Sequence, residues 1–316
     1  MTEGQVDFVI PHMGRPEMLL ATLESIFAQQ QAQCIGLVVV VTKNAEPLAL
    51  PEHPKLRVLY RPDAGSISEQ RNLGAAEGQS PWLAFLDADI QLAPDWLGVC
   101  LELLQAKPER VVVSAMQQAG TDPSKVELLR TALSNAALDC AVQFLPGRNL
   151  LLSRQHHRVV GGFPEHLQTC EDYYYTDQLS ALGELFYTSA TSYVHLGEDQ
   201  SLQQTFQKEI WRSEYNLTSL RGRKVPLREW PSILLPFWIL LALFAVVVAA
   251  FTPILLAPAL LLLFLPVLLY SLRLYRLPQN QVGLGYLLLF YTVYFAARAI
   301  GTLAGVRFFL MRKDAA

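Results

Sequence analysis

Two aspartates separated by a single residue, Asp87-Ala88-Asp89, stand at the end of the apolar run Trp82 to Leu86. A strand that stops on carboxylates at i and i+2 projects two hard oxygens together. That suits Mg²⁺ or Mn²⁺, which can neutralise a diphosphate leaving group without an all-carboxylate cage. The same spacing also arises where aspartates cap a turn, so the pair needs companions before it carries weight. A second acidic pair, Glu171-Asp172, reads most simply as the first turn of a helix, where the dipole favours negative charge.

The elements that must position these residues follow from the pattern of the chain. From Val6 to about Ser114, short β-branched runs alternate with helical patterns, which predicts βαβ units around a mostly parallel sheet. Strands are expected at 6–10, ended by Pro11, and at 34–42, 56–60, 82–86 and 111–114. Helices are expected at 16–30, with Leu19, Leu23 and Ile26 on one face, and at 68–77. Beyond these come a helical stretch at 124–139, the segment 147–152, and a turn at Gly161-Gly162-Phe163-Pro164. A helix from near Glu171, a strand at 185–195 and an amphipathic stretch at 201–220 complete this part.

Apolar residues make up 52% of the 316, and the charges crowd into the first two-thirds. Three apolar stretches, at about 231–251, 253–272 and 282–306, are each near the roughly 20 residues that cross a bilayer. Two regions are therefore expected, a soluble domain at 1–220 and a membrane-anchoring region of two or three helices at 221–316. Arg221, Arg223, Lys224 and Arg228 precede the first stretch, and Arg273 and Arg276 follow the second. The first two stretches are separated only by Thr252-Pro253 and form either a tight helical hairpin or one span plus a re-entrant helix. Because basic residues prefer the cytosolic side, the hairpin places the soluble domain at the cytoplasmic face of a plasma or inner membrane. The third stretch strains this scheme. If it spans, Arg307, Arg312 and Lys313 lie outside; if it lies in the interface, Arg298 can snorkel and the tail stays cytosolic.

The N-terminal residues carry no signal-peptide pattern. Cys34, Cys100, Cys140 and Cys170 are scattered with no CxxC pair, which suggests neither a zinc site nor a disulfide framework. A net charge of -3 without a basic stripe argues against a nucleic-acid partner.

Several ordered motifs resemble the inverting family-two glycosyltransferases of GT-A fold, over Val6 to about Tyr215. They are Ile10-Pro11 with Arg15, Leu23-Glu24-Ser25-Ile26, Arg71-Asn72-Leu73-Gly74-Ala75-Ala76 ahead of Phe85-Leu86-Asp87-Ala88-Asp89, Gly147-Arg148-Asn149 with Arg154, Gly161-Gly162-Phe163, and Glu171-Asp172. The resemblance implies an α/β nucleotide-diphospho-sugar transferase fold, a mostly parallel mixed sheet flanked by helices, followed here by C-terminal membrane helices. It implies Asp172 as general base, with Glu171 orienting it or binding the acceptor; inversion at an anomeric carbon needs a carboxylate opposite the departing diphosphate. It implies Asp89, Asp87 and His195 around Mn²⁺ or Mg²⁺, although a lone histidine can equally be structural. The implied donor-binding residues are Pro11, Arg15, Thr42, Asn44, Asp63, Arg71, Asp87 and Asn149. Lys208 and Arg212 suit either a diphosphate or lipid headgroups.

One departure stands out. Where the family has Asp-Asp-Gly-Ser after its second strand, this chain has Val41-Thr42-Lys43-Asn44. Base reading then falls to Thr42 and Asn44, or to Asp63, and UDP is favoured only as the family's commonest nucleotide. The expected partners are a nucleotide-sugar donor, a glycan or lipid-linked acceptor, and membrane lipids. A polyprenyl-phosphate glycosyltransferase and a non-catalytic membrane scaffold are the competing readings. A processive synthase is disfavoured because the Gln-x-x-Arg-Trp motif is absent.

Overall fold

In the computed structural model the described residues are 4–220, 225 and 227–311. In chain order the elements are β1 (Val6–His12), α1 (Pro16–Phe27), β2 (Ile35–Thr42), β3 (Leu56–Tyr60), α2 (Ile67–Glu77), β4 (Trp82–Leu86), β5 (Ile90–Leu92), α3 (Trp96–Gln105) and β6 (Arg110–Gln118). They continue with α4 (Lys125–Ser134), β7 (Cys140–Val142), β8 (Asn149–Ser153), α5 (Arg154–Val159), α6 (Glu171–Ser180), β9 (Glu184–His195), α7 (Leu202–Glu214), α8 (Trp230–Ala249), α9 (Leu256–Tyr275) and α10 (Leu284–Met311). They fall into two compact units. One comprises Met1–Thr121 and Ala137–Glu198; the other comprises Asp122–Ala136 and Asp199–Ala316.

The first unit is a mixed sheet flanked by helices. Its strand order is β3-β2-β1-β4-β8-β6-β9-β5, with β7 also paired to β9. β3, β2, β1 and β4 run parallel, β8 is antiparallel to both β4 and β6, and β6 runs parallel to β9. Every residue of β1 is buried, as a central strand covered on both faces requires. One face packs Phe8, Ile10, Leu19, Leu23 and Trp96. The other packs Val9, Phe85, Leu150, Phe163 and Tyr175.

β1 runs through Pro11 to His12, two residues past the expected end. It pairs with β4 only over Val6 to Val9, so Pro11 lies beyond that ladder and its missing N–H breaks no bond to β4. The helical pattern at 124–139 stops at Ser134 and gives way to β7. Arg154 serves the fold. It reaches Asp7 at 2.6 Å and donates to the carbonyls of Ser80 and Ala75, while Asp7 also accepts from the Ser80 hydroxyl and the Leu37 N–H. A buried polar network satisfied in this way fixes α2, β1 and the start of α5 relative to one another.

Among the described residues the second unit has three segments long and apolar enough to cross a membrane: Trp230–Ala249, which is α8; Pro253–Tyr275, which is α9 with the helical turn before it; and Leu284–Arg307, within α10. α4 joins them through Leu129 and Ala132, which share a cluster with Leu274, Leu287, Phe290 and Phe295. Arg221, Arg223, Lys224, Arg312 and Lys313, on which part of the expected orientation rests, lie outside the described residues.

Candidate active site

The carboxyl ends of β1, β2 and β4 bring the first group of polar side chains together. β4 ends at Leu86, so Asp87 and Asp89 emerge where the buried strand stops. The antiparallel β5–β9 pair sets His195 opposite Ile90, directly beside Asp89. His195 Nε2 stands 3.4 Å from an Asp89 oxygen, and its Nδ1 stands 3.1 Å from Glu198. If Glu198 holds the proton on Nδ1, Nε2 is left with its lone pair beside the Asp89 carboxylate, the arrangement by which a second carboxylate orients a ligating histidine. Burial opposes protonation of His195, but hydrogen bonds to Asp89 and Glu198 outweigh it and raise its pKa.

Neighbouring ligands of one octahedral ion, each about 2.1 Å from it, stand about 3 Å apart. Asp89 and His195 fit such a pair of positions. Among the described residues no group of three or more His, Cys, Asp or Glu side chains forms a closed metal cage. A cation here would therefore need further oxygens from water or a bound phosphate, as Mg²⁺-type sites commonly do. Arg15 contacts the same carboxylate, 3.1 Å from Asp89. It gets there through a left-handed turn, Gly14 at φ 67° and Arg15 at φ 48°. Gly197 completes the approach, since a Cβ there would come within 2.1 Å of Asp89 and 2.5 Å of Arg15.

Asp87 is turned to a different partner. The buried Arg71 guanidinium donates to Asp87 at 2.8 Å and to Glu171 at 3.0 Å, bridging β4 to the start of α6. Phe163 lies under it at 4.8 Å, and Gly147 leaves it room, since a Cβ there would press within 3.1 Å of the fork. Burial works against the charge of Arg71, yet Asp87 and then Glu171 hold its pKa above the ordinary value. A single arginine fork thus joins the two acidic pairs found in the sequence.

Asp172, next to Glu171, accepts from the Tyr173 N–H at 2.8 Å and from the Gly147 N–H at 3.5 Å. Burial, and then the neighbouring Glu171, push its pKa up to about 7 against the pull of Arg71. A carboxylate titrating there is suited to accept a proton at neutral pH.

The remaining expected residues divide. Thr42 ends β2 fully buried, and Asn44 accepts from the Gly14 N–H at 2.9 Å, so both lie beside the β1 turn. Pro11 lies in β1 itself, and Asn149 begins β8 opposite Leu86, donating to the Ala115 carbonyl. Asp63 is exposed and paired with Arg61, and it shares none of the contacts described above. Lys208 and Arg212 belong to the second unit, where they pair with Asp199 and Glu209.

Two participants were missed from sequence. His12 faces Thr42 across the β1–β2 register, 2.9 Å between Nδ1 and Oγ1, and its Nε2 is buried with no hydrogen-bond partner. Burial lowers its pKa, and if Thr42 donates to Nδ1 then Nε2 carries the proton. The available signal was that two adjacent parallel strands both end on a polar residue. Arg148 was read only as part of a motif. It donates to the Tyr193 hydroxyl at 2.9 Å and pairs with Glu198 at 3.7 Å, so it holds the carboxylate that orients His195.

This sheet, with acidic residues at the end of β4 and the start of α6, is that of the GT-A glycosyltransferases. Residues 7–161 match the family described as glycosyl transferase family 2; the chain is a glycosyltransferase with a family 2 domain. No curated protein is similar enough in sequence to count as a relative. The chain shares its fold with the mannosyltransferase PcManGT from Pyrobaculum calidifontis, solved with GDP-Man and Mn²⁺. The TM-score is 0.63 and the identity 17%, over 96% of this chain and 87% of that one. It is also similar to GalNAc-T7 solved with UDP, GalNAc and Mn²⁺, with TM-score 0.51 and 13% identity over 73% of this chain and 53% of that one.

Proposed function

We propose that the protein transfers a sugar, with inversion, from a nucleotide-sugar donor to a hydroxyl of a membrane-associated glycan or lipid-linked acceptor. The observation that carries this reading is the Arg71 bridge, which sets Glu171-Asp172 against Asp87 and the strand end where a donor diphosphate would lie. Thr42, Asn44 and His12 line the end of β1 and β2 and would meet the donor base. A UDP-sugar is the first donor to test.

A divalent cation held by Asp89 and His195, with Mn²⁺ or Mg²⁺ the natural choice, would neutralise the charge that gathers on the leaving diphosphate. Asp87, oriented by Arg71, would meet the ribose. Asp172 takes the proton of the acceptor hydroxyl as its oxygen bonds to the anomeric carbon and the bond to the diphosphate breaks. Nucleoside diphosphate leaves from the opposite face. Solved relatives of the same fold hold a nucleotide-sugar or nucleotide with Mn²⁺, which supports a donor of this class.

Calorimetry tests the assignment. The wild-type protein should bind nucleoside diphosphate in an Mn²⁺-dependent way. Asp89→Ala should weaken that binding by more than the 10- to 100-fold typical of losing an outer-shell partner. Equal binding with and without Mn²⁺, or an unaffected Asp89→Ala variant, would remove the cation site from this carboxylate.

A further inference from the structure

α10 is long and apolar enough to cross a membrane, yet besides α8 and α9 its neighbours include two helices, α7 and α4, that are too polar to cross. α7 runs parallel to it through successive contacts. Arg298 pairs with Glu209 at 3.8 Å, and Cβ atoms on Gly301 and Gly305 would come within 2.3 Å of the Ile210 carbonyl and 2.2 Å of the Glu214 carbonyl. These two glycines bring the backbones into direct contact, so the pair is a built interface. At its other end α10 meets α4, with the Lys125 ammonium 5.5 Å from the Tyr286 ring centroid.

α7 cannot follow α10 into hydrocarbon. Gln203, Gln204, Gln207 and Lys208 are exposed on its outer face, and ionisable or amide side chains at membrane depth are costly. The depth of Arg298 gives the same answer. α9 returns the chain to the side from which α8 departs, and α10 begins nine residues after α9 ends. A crossing that started at Leu284 would carry Arg298 roughly 21 Å inward. Instead Arg298 donates to the carbonyl and hydroxyl of Ser232, in the first turn of α8, at 3.3 and 3.1 Å. Snorkelling along the stem of one arginine side chain does not make up that difference. α10 therefore lies nearer the membrane plane than its normal.

Its exposed positions agree. Leu289, Thr292, Ala296, Ile300 and Leu303 form one stripe at helical spacing, whereas α8 and α9 are exposed over most of their circumference; the buried share is 44% for α10 and 22% for each of the others. We infer that α10 rests in the boundary between headgroups and acyl chains, its stripe toward lipid and α7 on its aqueous side. Only α8 and α9 cross, and the C-terminus stays on the side of the catalytic domain.

Two measurements on the full chain test this. With epitope tags at both termini and protease added to sealed membrane vesicles, both tags should be cleaved together or protected together. Cleavage of one with protection of the other would overturn the inference. In a background lacking the four native cysteines, nitroxides at Leu289→Cys, Ile300→Cys and Leu303→Cys should report similar, shallow depths by collision with oxygen and a water-soluble nickel chelate. A steady increase in depth over the roughly 20 Å that separates the first and last sites along the helix would show a crossing.

Discussion

Asp172→Asn is expected to lower kcat by about 10²- to 10⁴-fold, the usual contribution of a positioned general base. Donor affinity should be little changed. Asparagine keeps an oxygen that can accept from the Tyr173 N–H, so the start of α6 is preserved while the proton acceptor is lost. The pH dependence gives a second readout. Burial and Glu171 raise Asp172 to about 7, so its carboxylate is present above that pH and is lost as pH falls through it. kcat/KM of the wild-type protein should therefore decline on the acid side of about pH 7, and the residual activity of Asp172→Asn should lack that limb. Initial rates of nucleoside diphosphate release from pH 5.5 to 8.5 check both statements. Full activity in the variant would indicate an acceptor that is already ionised, such as a polyprenyl phosphate.

Arg71→Met should be damaging in two ways. The buried fork offsets part of the charge of Asp87 and Glu171, and removing one partner of a buried ion pair typically costs about 3–5 kcal/mol because charge is left uncompensated. A fall in thermal midpoint should accompany loss of activity. Arg71 also holds the Asp172 pKa down, so in any folded Arg71→Met protein the acid limb should move to higher pH. Arg71→Lys keeps the charge but has no planar fork with which to hold two carboxylates, and should recover stability better than rate. A variant whose acid limb does not move would show that Arg71 and Asp172 are not electrostatically linked.

Much of this site was legible in the sequence because the fold places it at ends of elements. The buried run before Asp87-Ala88-Asp89 had to be a strand, and a strand end is where carboxylates can emerge together. Glu171-Asp172 was visible as the start of a helix. What could not be read was which distant residues meet. Arg71 lies in a helix whose pattern gives no sign that its side chain points inward to join Asp87 and Glu171. His12 was overlooked because strand register, and not local sequence, sets it against Thr42. Asp63 was expected near the donor base on the strength of its position after β3; it is exposed and pairs with Arg61, two residues away. In the membrane region composition identified three apolar stretches. Their differing surroundings depend on α7 and α4, whose apolar positions show no partner in the sequence.

The most direct test is nucleoside diphosphate release from a panel of nucleotide sugars, with Mn²⁺, membrane lipid extract and the full-length protein. At least one donor should be turned over, with the activity lost on chelation of the metal and in Asp172→Asn. Release from none of the donors, or turnover that survives both treatments, would contradict a metal-assisted, base-catalysed sugar transfer at this site.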